Sequence, residues 1–414
     1  MLKRRSLIGL VVCACVGWTG TVTVRAAPTV VTYWNEVANA AVTIGRAGPA
    51  GALDNAIIAA AVHDAVQAIE GRYEPYYFSA PGSEGSTTAA VAAAAYGVLI
   101  RLYPTQGPGL TGLTKKFDDY VLLNGLTGDP GLDVGDDAAA ALFTQYRPLI
   151  PLPNYTGGTN PGEWRPTPTL NLPGGFEFLA YTPPFTLLRA SQFRPQGPPP
   201  LTSSHYRRDY DEVKAFGSLT NSKRNADQTD MAHFFSENFV AQMPRAVRGI
   251  VEAHVPETGD AARLFALTAL AAADAVITCW DSKYHFSFWR PITAIREGEN
   301  DGNAKTVGDP AWNPLINTPN YPDYTSGANN ITGAHMKMLE LFFGTDSFDF
   351  IITSNAPLAI DKTREYHSFS QAAQEVVEAR ILLGIHFRFA DEQAREQGSH
   401  VAHWVFQKFL RPVR

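Results

Sequence analysis

Residues 52–71 read ALDNAIIAAAVHDAVQAIEG, and the fold class turns on them. Alanine dominates and apolar side chains sit on every face, which is the texture of a buried helix rather than a surface one. Gly71 is a natural stop. A second run, TAAVAAAAYGVLIRLY from Thr88, ends before Pro104, and Asp136 to Tyr146 makes a shorter third. Further along, residues 228–254, 259–280, 328–343 and 363–383 carry apolar positions at three- and four-residue spacing. No alternating strand series of useful length and no internal repeat accompany them. The expectation is an all-α protein with two helical halves, residues 27–150 and 227–414, joined by a different texture over 151–226. In that joint, residues 151–200 hold 12 of the 29 prolines, which excludes regular helix. Trp164, Phe176, Phe178, Tyr181, Phe185 and Phe193 are too many aromatics for a disordered linker. An ordered loop wrapped over the helical body is expected.

The chain has 414 residues, 45% of them hydrophobic and 18% charged, so a large core is within reach and disorder, collagen and coiled coil are excluded. Lys3, Arg4 and Arg5 precede a fourteen-residue apolar run from Ser6 to Thr19, too short to span a bilayer. With Val24-Arg25-Ala26 as the cleavage region, residues 1–26 read as an export signal. Arg4-Arg5-Ser6-Leu7-Ile8 suits the twin-arginine route, so a periplasmic or secreted destination is expected. Removing the signal lowers the 34 basic residues to 30 against 40 acidic ones, a net charge of −10. That argues against nucleic acid and anionic membrane as partners. No later stretch of eighteen apolar residues is read, so no membrane insertion is expected, while an oligomer is compatible. Cys279 would be the only cysteine left, so neither an intramolecular disulfide nor a cysteine metal site is available.

Three segments carry chemistry. The first runs Trp280-Asp-Ser-Lys283-Tyr-His-Phe-Ser-Phe-Trp-Arg290-Pro291, with two cations seven apart in aromatic surroundings. If helical, both would lie on one side, and buried they would need an anion. The second, Pro322-Asp-Tyr-Thr-Ser326-Gly327-Ala328-Asn329-Asn330, opens a helical run and offers a hydroxyl and backbone N–H groups. The third, Ala379-Arg380-Ile-Leu-Leu-Gly-Ile-His386-Phe-Arg388, sets a cation and an imidazole six apart, with Gly384 placed to bend the chain between them. Singly, each reads as a salt-bridged surface, a helix cap or a structural histidine. Together they hold three cations, a hydroxyl, backbone donors and one histidine, the parts needed to surround a tetrahedral oxyanion and attack it from one face.

In these motifs the chain resembles the superfamily of vanadium-dependent haloperoxidases and type 2 phosphatidic acid phosphatases. Its signature is K-x6-R-P, then P-S-G-H, then S-R-x5-H-x3-D. Lys283, Arg290 and Pro291 match the first part. Ser326 and Gly327 match the centre of the second, with Thr325 in place of proline. Arg380 and His386 match the third in spacing, with Ala379 for serine and the acid one residue late, at Asp391. Trp280, GEWRPTP at 162–168 and FRPQGPPPL at 193–201 resemble the haloperoxidase branch. The largest departure is Ala328, where the family has the histidine that moves protons. Asn329 can offer a hydrogen bond but no acid/base catalysis. His285, His335 and His367 are the histidines that could stand in from other elements, and His63-Asp64 reads as a structural pair.

The resemblance implies that His386 ligates vanadium of a vanadate cofactor, while Lys283, Arg290, Ser326, Gly327 and Arg380 bind its oxygens. It implies hydrogen peroxide, halide and a small organic acceptor as partners, with Lys283 hydrogen-bonded to the bound peroxide. The alternative from the same superfamily is an acid phosphatase, with phosphate in the pocket and His386 as nucleophile. An alternative of another class is a non-catalytic oxyanion-binding protein, which Ala328 suggests.

Overall fold

The computed structural model describes residues 28–46, 48–105, 110–168 and 170–413. The expected signal at 1–26 lies outside them. The described chain forms thirteen α-helices and one two-stranded hairpin, so the all-α class holds.

Five helices make the first part: α1 (Val30–Gly45), α2 (Gly51–Glu70), α3 (Thr87–Leu102), α4 (Leu113–Leu123) and α5 (Gly131–Phe143). α2 is the quoted alanine-rich run, buried along most of its length, and it stops at Gly71 in the left-handed region, φ 64°. Eight helices follow: α6 (Ser204–Phe216), α7 (Ala226–Phe234), α8 (Phe239–His254), α9 (Thr258–Phe286), α10 (Pro291–Arg296), α11 (Gly327–Phe343), α12 (Phe369–Leu382) and α13 (Arg388–Lys408). The run read as one helix over 228–254 is two, because Asn238 caps α8 with its side chain on the Val240 N–H. α2 packs on α9, and one hydrophobic core runs through both parts of the chain. α9 is long and apolar enough to cross a membrane by composition, an exception to the expectation that no such stretch follows the signal. It runs through the centre of the fold with almost all of its apolar window buried.

Two expectations are corrected. The segment 363–383 is not a single helix. Thr363–Ser368 is a strand, β2, paired antiparallel with β1 (Ser347–Thr353), and the helix begins at Phe369. Phe350 faces Tyr366 across the pair with rings 5.5 Å apart, so cross-strand aromatic packing outweighs local helix spacing. Lys283 and Arg290, in turn, do not share a helix side. α9 ends at Phe286, Ser287 turns left-handed at φ 46°, and Arg290 sits just before α10.

The proline-rich joint makes that turn. The Trp164 N–H donates to the Ser287 carbonyl at 2.7 Å, and the Trp289 N–H donates to the Gly162 carbonyl at 2.9 Å. Trp164 is fully buried and stacks on Tyr155 at 5.6 Å. Burying an indole of this kind contributes roughly 3 kcal/mol, so the loop is ordered for the reason its aromatics suggest.

α11 and α13 pack along their length. The close approach needs glycine twice. A Cβ on Gly398 would fall 2.1 Å from the Asn330 carbonyl oxygen, and one on Gly333 would fall 2.4 Å from that of Arg395. This crossing brings the first turns of both helices together.

Candidate oxyanion site

The site forms where five pieces of chain meet: the end of α9, the turn before α10, the loop 320–326, the start of α11, and the turn from α12 into α13. Lys283, on the last turns of α9, is wholly buried. Its Nζ donates to the carbonyls of Pro322 at 2.7 Å and Asp323 at 3.0 Å, with the ring of Tyr321 at 5.1 Å. Burial, with Arg290 nearby, brings its ammonium down to about 7. Arg290 donates through Nε to the Tyr321 carbonyl at 2.8 Å and through Nη1 to the Ile385 carbonyl at 2.7 Å. Its Nη2 is buried with no partner. Arg380, on α12, donates through Nη1 to the Phe235 carbonyl at 3.1 Å, and its Nε is likewise unpartnered.

Ser326 precedes α11. Its N–H donates to the Ala390 carbonyl at 3.1 Å, which ties the loop to α13. Its Oγ does not cap the helix and has no partner of ordinary geometry, although it lies close enough to Asp391 to favour the ionised carboxyl. Gly327 must be small, since a Cβ there would meet the Trp280 ring at 3.1 Å. Gln397 of α13 holds the segment from behind: its Oε1 accepts from Thr325 Oγ1 at 2.9 Å and Asn330 Nδ2 at 2.6 Å.

His386 follows Gly384, whose left-handed φ of 77° ends α12 and turns the chain inward, as the glycine spacing suggests. Its Nδ1 lies 2.8 Å from Asp323 Oδ1, and Arg290 Nη1 lies 3.2 Å from its Nε2. A neutral ring with its proton on Nδ1 satisfies both contacts: Nδ1–H donates to Asp323, and the one lone pair of Nε2 faces Arg290 Nη1. Burial and the neighbouring Arg290, Lys283 and Arg380 keep the imidazole well below its ordinary range, hence neutral.

The structure therefore brings Lys283, Arg290, Ser326, Gly327, Arg380 and His386 into one buried cluster, with unpartnered donors at Arg290 Nη2, Arg380 Nε and Ser326 Oγ. Two carboxyls complete it. Asp323, the partner of the His386 ring, was quoted in the second segment without a role, and its place three residues before Ser326 was the only available signal. Burial raises it to about 7 against the pull of Arg290 and Lys283. Asp391 accepts from Asn329 Nδ2 at 2.7 Å through Oδ1, while its Oδ2 is buried and unpartnered. Burial holds it well above the ordinary carboxylate range.

None of the three candidate replacement histidines reaches the cluster. His285 is exposed. His335 is turned back on the Ile331 carbonyl at 2.9 Å. His367 pairs with Asp349 on the surface at 2.7 Å. His63 is buried against the Glu74 carbonyl at 3.0 Å, a structural role. The open groove of about 520 Å³ between α11, α12 and α13 is lined by residues such as Lys337, Glu340 and Arg395 and holds none of the site residues.

Fold and donor set together define a helix-bundle protein with a buried cluster of three basic side chains around a single imidazole. Residues 263–414 match the family described as VCPO second helical-bundle domain. The chain is 28% identical over 239 residues to vanadium chloroperoxidase of Curvularia inaequalis; the match takes in 43% of this chain and spans 39% of that relative's length. In structure it is similar to a bacterial vanadium-dependent iodoperoxidase (TM-score 0.76, 21% identity, covering 94% of this chain and 99% of that one). It is also similar to a holo-type bacterial vanadium-dependent chloroperoxidase (TM-score 0.71, 18% identity, covering 92% and 97%). Residues 263–414 thus resemble that family, and the chain as a whole shares the fold of these vanadium-dependent haloperoxidases.

Proposed function

We propose that this protein is an exported vanadium-dependent haloperoxidase, using hydrogen peroxide and halide to halogenate or oxidise a small organic acceptor. The observation that carries the reading is the set of buried, unpartnered donors around His386: Arg290 Nη2, Arg380 Nε and Ser326 Oγ. Each such group left without a partner costs about 1–3 kcal/mol, a cost that a tetrahedral oxyanion would offset. The donor set fits vanadate: His386 would be its ligand through Nε2, exchanging the Arg290 contact for the metal, and Lys283, Arg290, Arg380, Ser326 and the Gly327 N–H would hold the oxygens. Bound there, vanadate supplies a Lewis-acidic centre that polarises hydrogen peroxide for attack by halide.

The chain's own part is positioning and electrostatics. Asp323 holds the His386 ring in one tautomer. Lys283 keeps its Nζ fixed on two carbonyls, and its remaining N–H would be the one offered to the guest. Arg290 and Arg380 neutralise charge that no water can screen in this interior. Trp280, Phe176 and Tyr321 wall the cluster with rings 5.2 to 6.3 Å apart and keep bulk solvent out. Tyr284 and Trp280 pin this wall to the Gly175 carbonyl at 2.7 and 3.4 Å.

The test is bromination of a reporter dye by protein supplied with vanadate, peroxide and bromide, run beside hydrolysis of an aryl phosphate without vanadate. Bromination that disappears in His386→Ala supports the proposal. Phosphate release without bromination would replace it with the phosphatase, and vanadate binding with neither activity would leave an oxyanion-binding protein.

A further inference from the structure

Oxidation of a halide by peroxide consumes a proton. The O–O bond breaks, an oxygen–halogen bond forms, the halide loses two electrons to the peroxide, and hypohalous acid and water result only if one H⁺ is supplied. In this chain the first turn of α11 cannot supply it, because Ala328 has no titratable group, and His285, His335 and His367 all point elsewhere. His386 is engaged through Nδ1 with Asp323 and faces Arg290.

One group in the cluster is placed for the task. Asp391, on the first turn of α13, is fully buried. Its Oδ1 is fixed by Asn329 Nδ2 at 2.7 Å, one residue from Ala328 along α11. Its Oδ2 has no partner of ordinary geometry, and Ser326 Oγ, equally without one, lies beside it. We propose that Asp391 is the proton donor of this site: its carboxylic acid gives H⁺ to the oxygen that leaves as water, and the resulting carboxylate is reprotonated from solvent. The inference rests on the haloperoxidase reading above.

Charge balance agrees with it. Lys283, Arg290 and Arg380 face Asp391 from α9, the turn before α10 and α12, while Asp323 and Ser326 face it from the loop and Asn329 from α11. With a guest bound that keeps Lys283 protonated and Asp323 ionised, three cations against two ionised carboxyls would leave one net positive charge; with Asp391 neutral the balance is two, which matches a dianionic guest. Burial favours that neutral acid, as it does in sites where a carboxyl is kept protonated so that it can donate.

The experiment compares wild type with Asp391→Asn and Asp391→Glu in full-length protein. Vanadate affinity should stay within about tenfold in Asp391→Asn, since an amide can also donate, while bromide oxidation falls at least about a hundredfold. Asp391→Glu should recover part of the rate with a shifted pH profile. The infrared difference between wild type and Asp391→Asn, taken with molybdate bound, should show the carbonyl stretch of a protonated carboxylic acid. Asp391→Asn turnover equal to wild type, or only carboxylate bands in the difference spectrum, overturns the assignment. Binding and turnover lost together, in an Asp391→Asn variant that still folds, overturns it as well. If Asp391→Asn does not fold, an Asp391→Glu variant with an unshifted pH profile does so instead. Wild-type protein that binds vanadate but oxidises no bromide would overturn the enzymatic reading itself, an outcome distinct from all of these.

Discussion

Asp64 and Asp274 are as deeply buried as Asp323 and Asp391, but their surroundings are opposite. Asp64, on α2, accepts from the N–H groups of Tyr76, Tyr77 and Phe78 at 2.6 to 2.8 Å. Asp274, on α9, accepts from the N–H groups of Phe185 and Thr186 at 2.7 Å, from Leu187 at 3.1 Å, and from the Thr186 hydroxyl. Both of their oxygens are used, and each carboxylate clamps a loop to a helix. Asp323 and Asp391 each leave Oδ2 without a hydrogen bond of ordinary geometry. Buried carboxyls with full hydrogen bonding hold the fold; buried carboxyls left half-bonded among cations mark a place built for something else.

The comparison breaks most readily by mutation. Asp274→Ala should strip partners from three N–H groups and a hydroxyl and lower unfolding stability by about 3–5 kcal/mol. Asp391→Asn should change it by no more than about 1 kcal/mol. Urea unfolding of the two variants checks this, and equal losses would erase the distinction. Gly398→Ala should cost about 1–3 kcal/mol, because the new methyl cannot occupy the position 2.1 Å from the Asn330 carbonyl without moving α13. Vanadate binding should weaken with it, since Ser326 and Asn329 are tied to that helix. Arg380→Met should leave folding intact and reduce oxyanion affinity about ten- to a hundredfold, the value of a charge-assisted hydrogen bond, as read by titration calorimetry.

The smallest expected effect is one of pH. Lys283 loses its proton near 7 in the guest-free site, so molybdate affinity should fall as pH rises from 6 to 8, by up to about tenfold per unit. Lys283→Met should flatten that slope. The stability effect has the other sign. Between about 7 and its ordinary value of 10.5 the folded chain binds fewer protons at Lys283 than the unfolded chain, so this group makes stability rise with pH there.

Much of this was legible in the sequence. The alanine-rich runs that become α2 and α3 declare themselves because they are buried on every side and need no partner to be recognised. Arg380 and His386 are brought together by a glycine in the left-handed region, which is a local signal. What was not legible depends on distant chain. No helix is expected over α13, only the signature's acid at Asp391, and Gln397 on it faces inward because α11 packs against it. Lys283 and Arg290 converge through a turn held by Gly162 and Trp164, more than a hundred residues earlier, and not through helical periodicity. The pairing of Asp323 with His386 spans 63 positions and has no spacing rule.

Binding and turnover both depend on His386 and the three cations acting as one receptor. Titration of the guest-free protein with vanadate, monitored by calorimetry beside His386→Ala, addresses that directly. One vanadate should bind per wild-type chain, and binding should be at least a hundredfold weaker without the imidazole. Equal binding by both proteins, or none by the wild type, would contradict it.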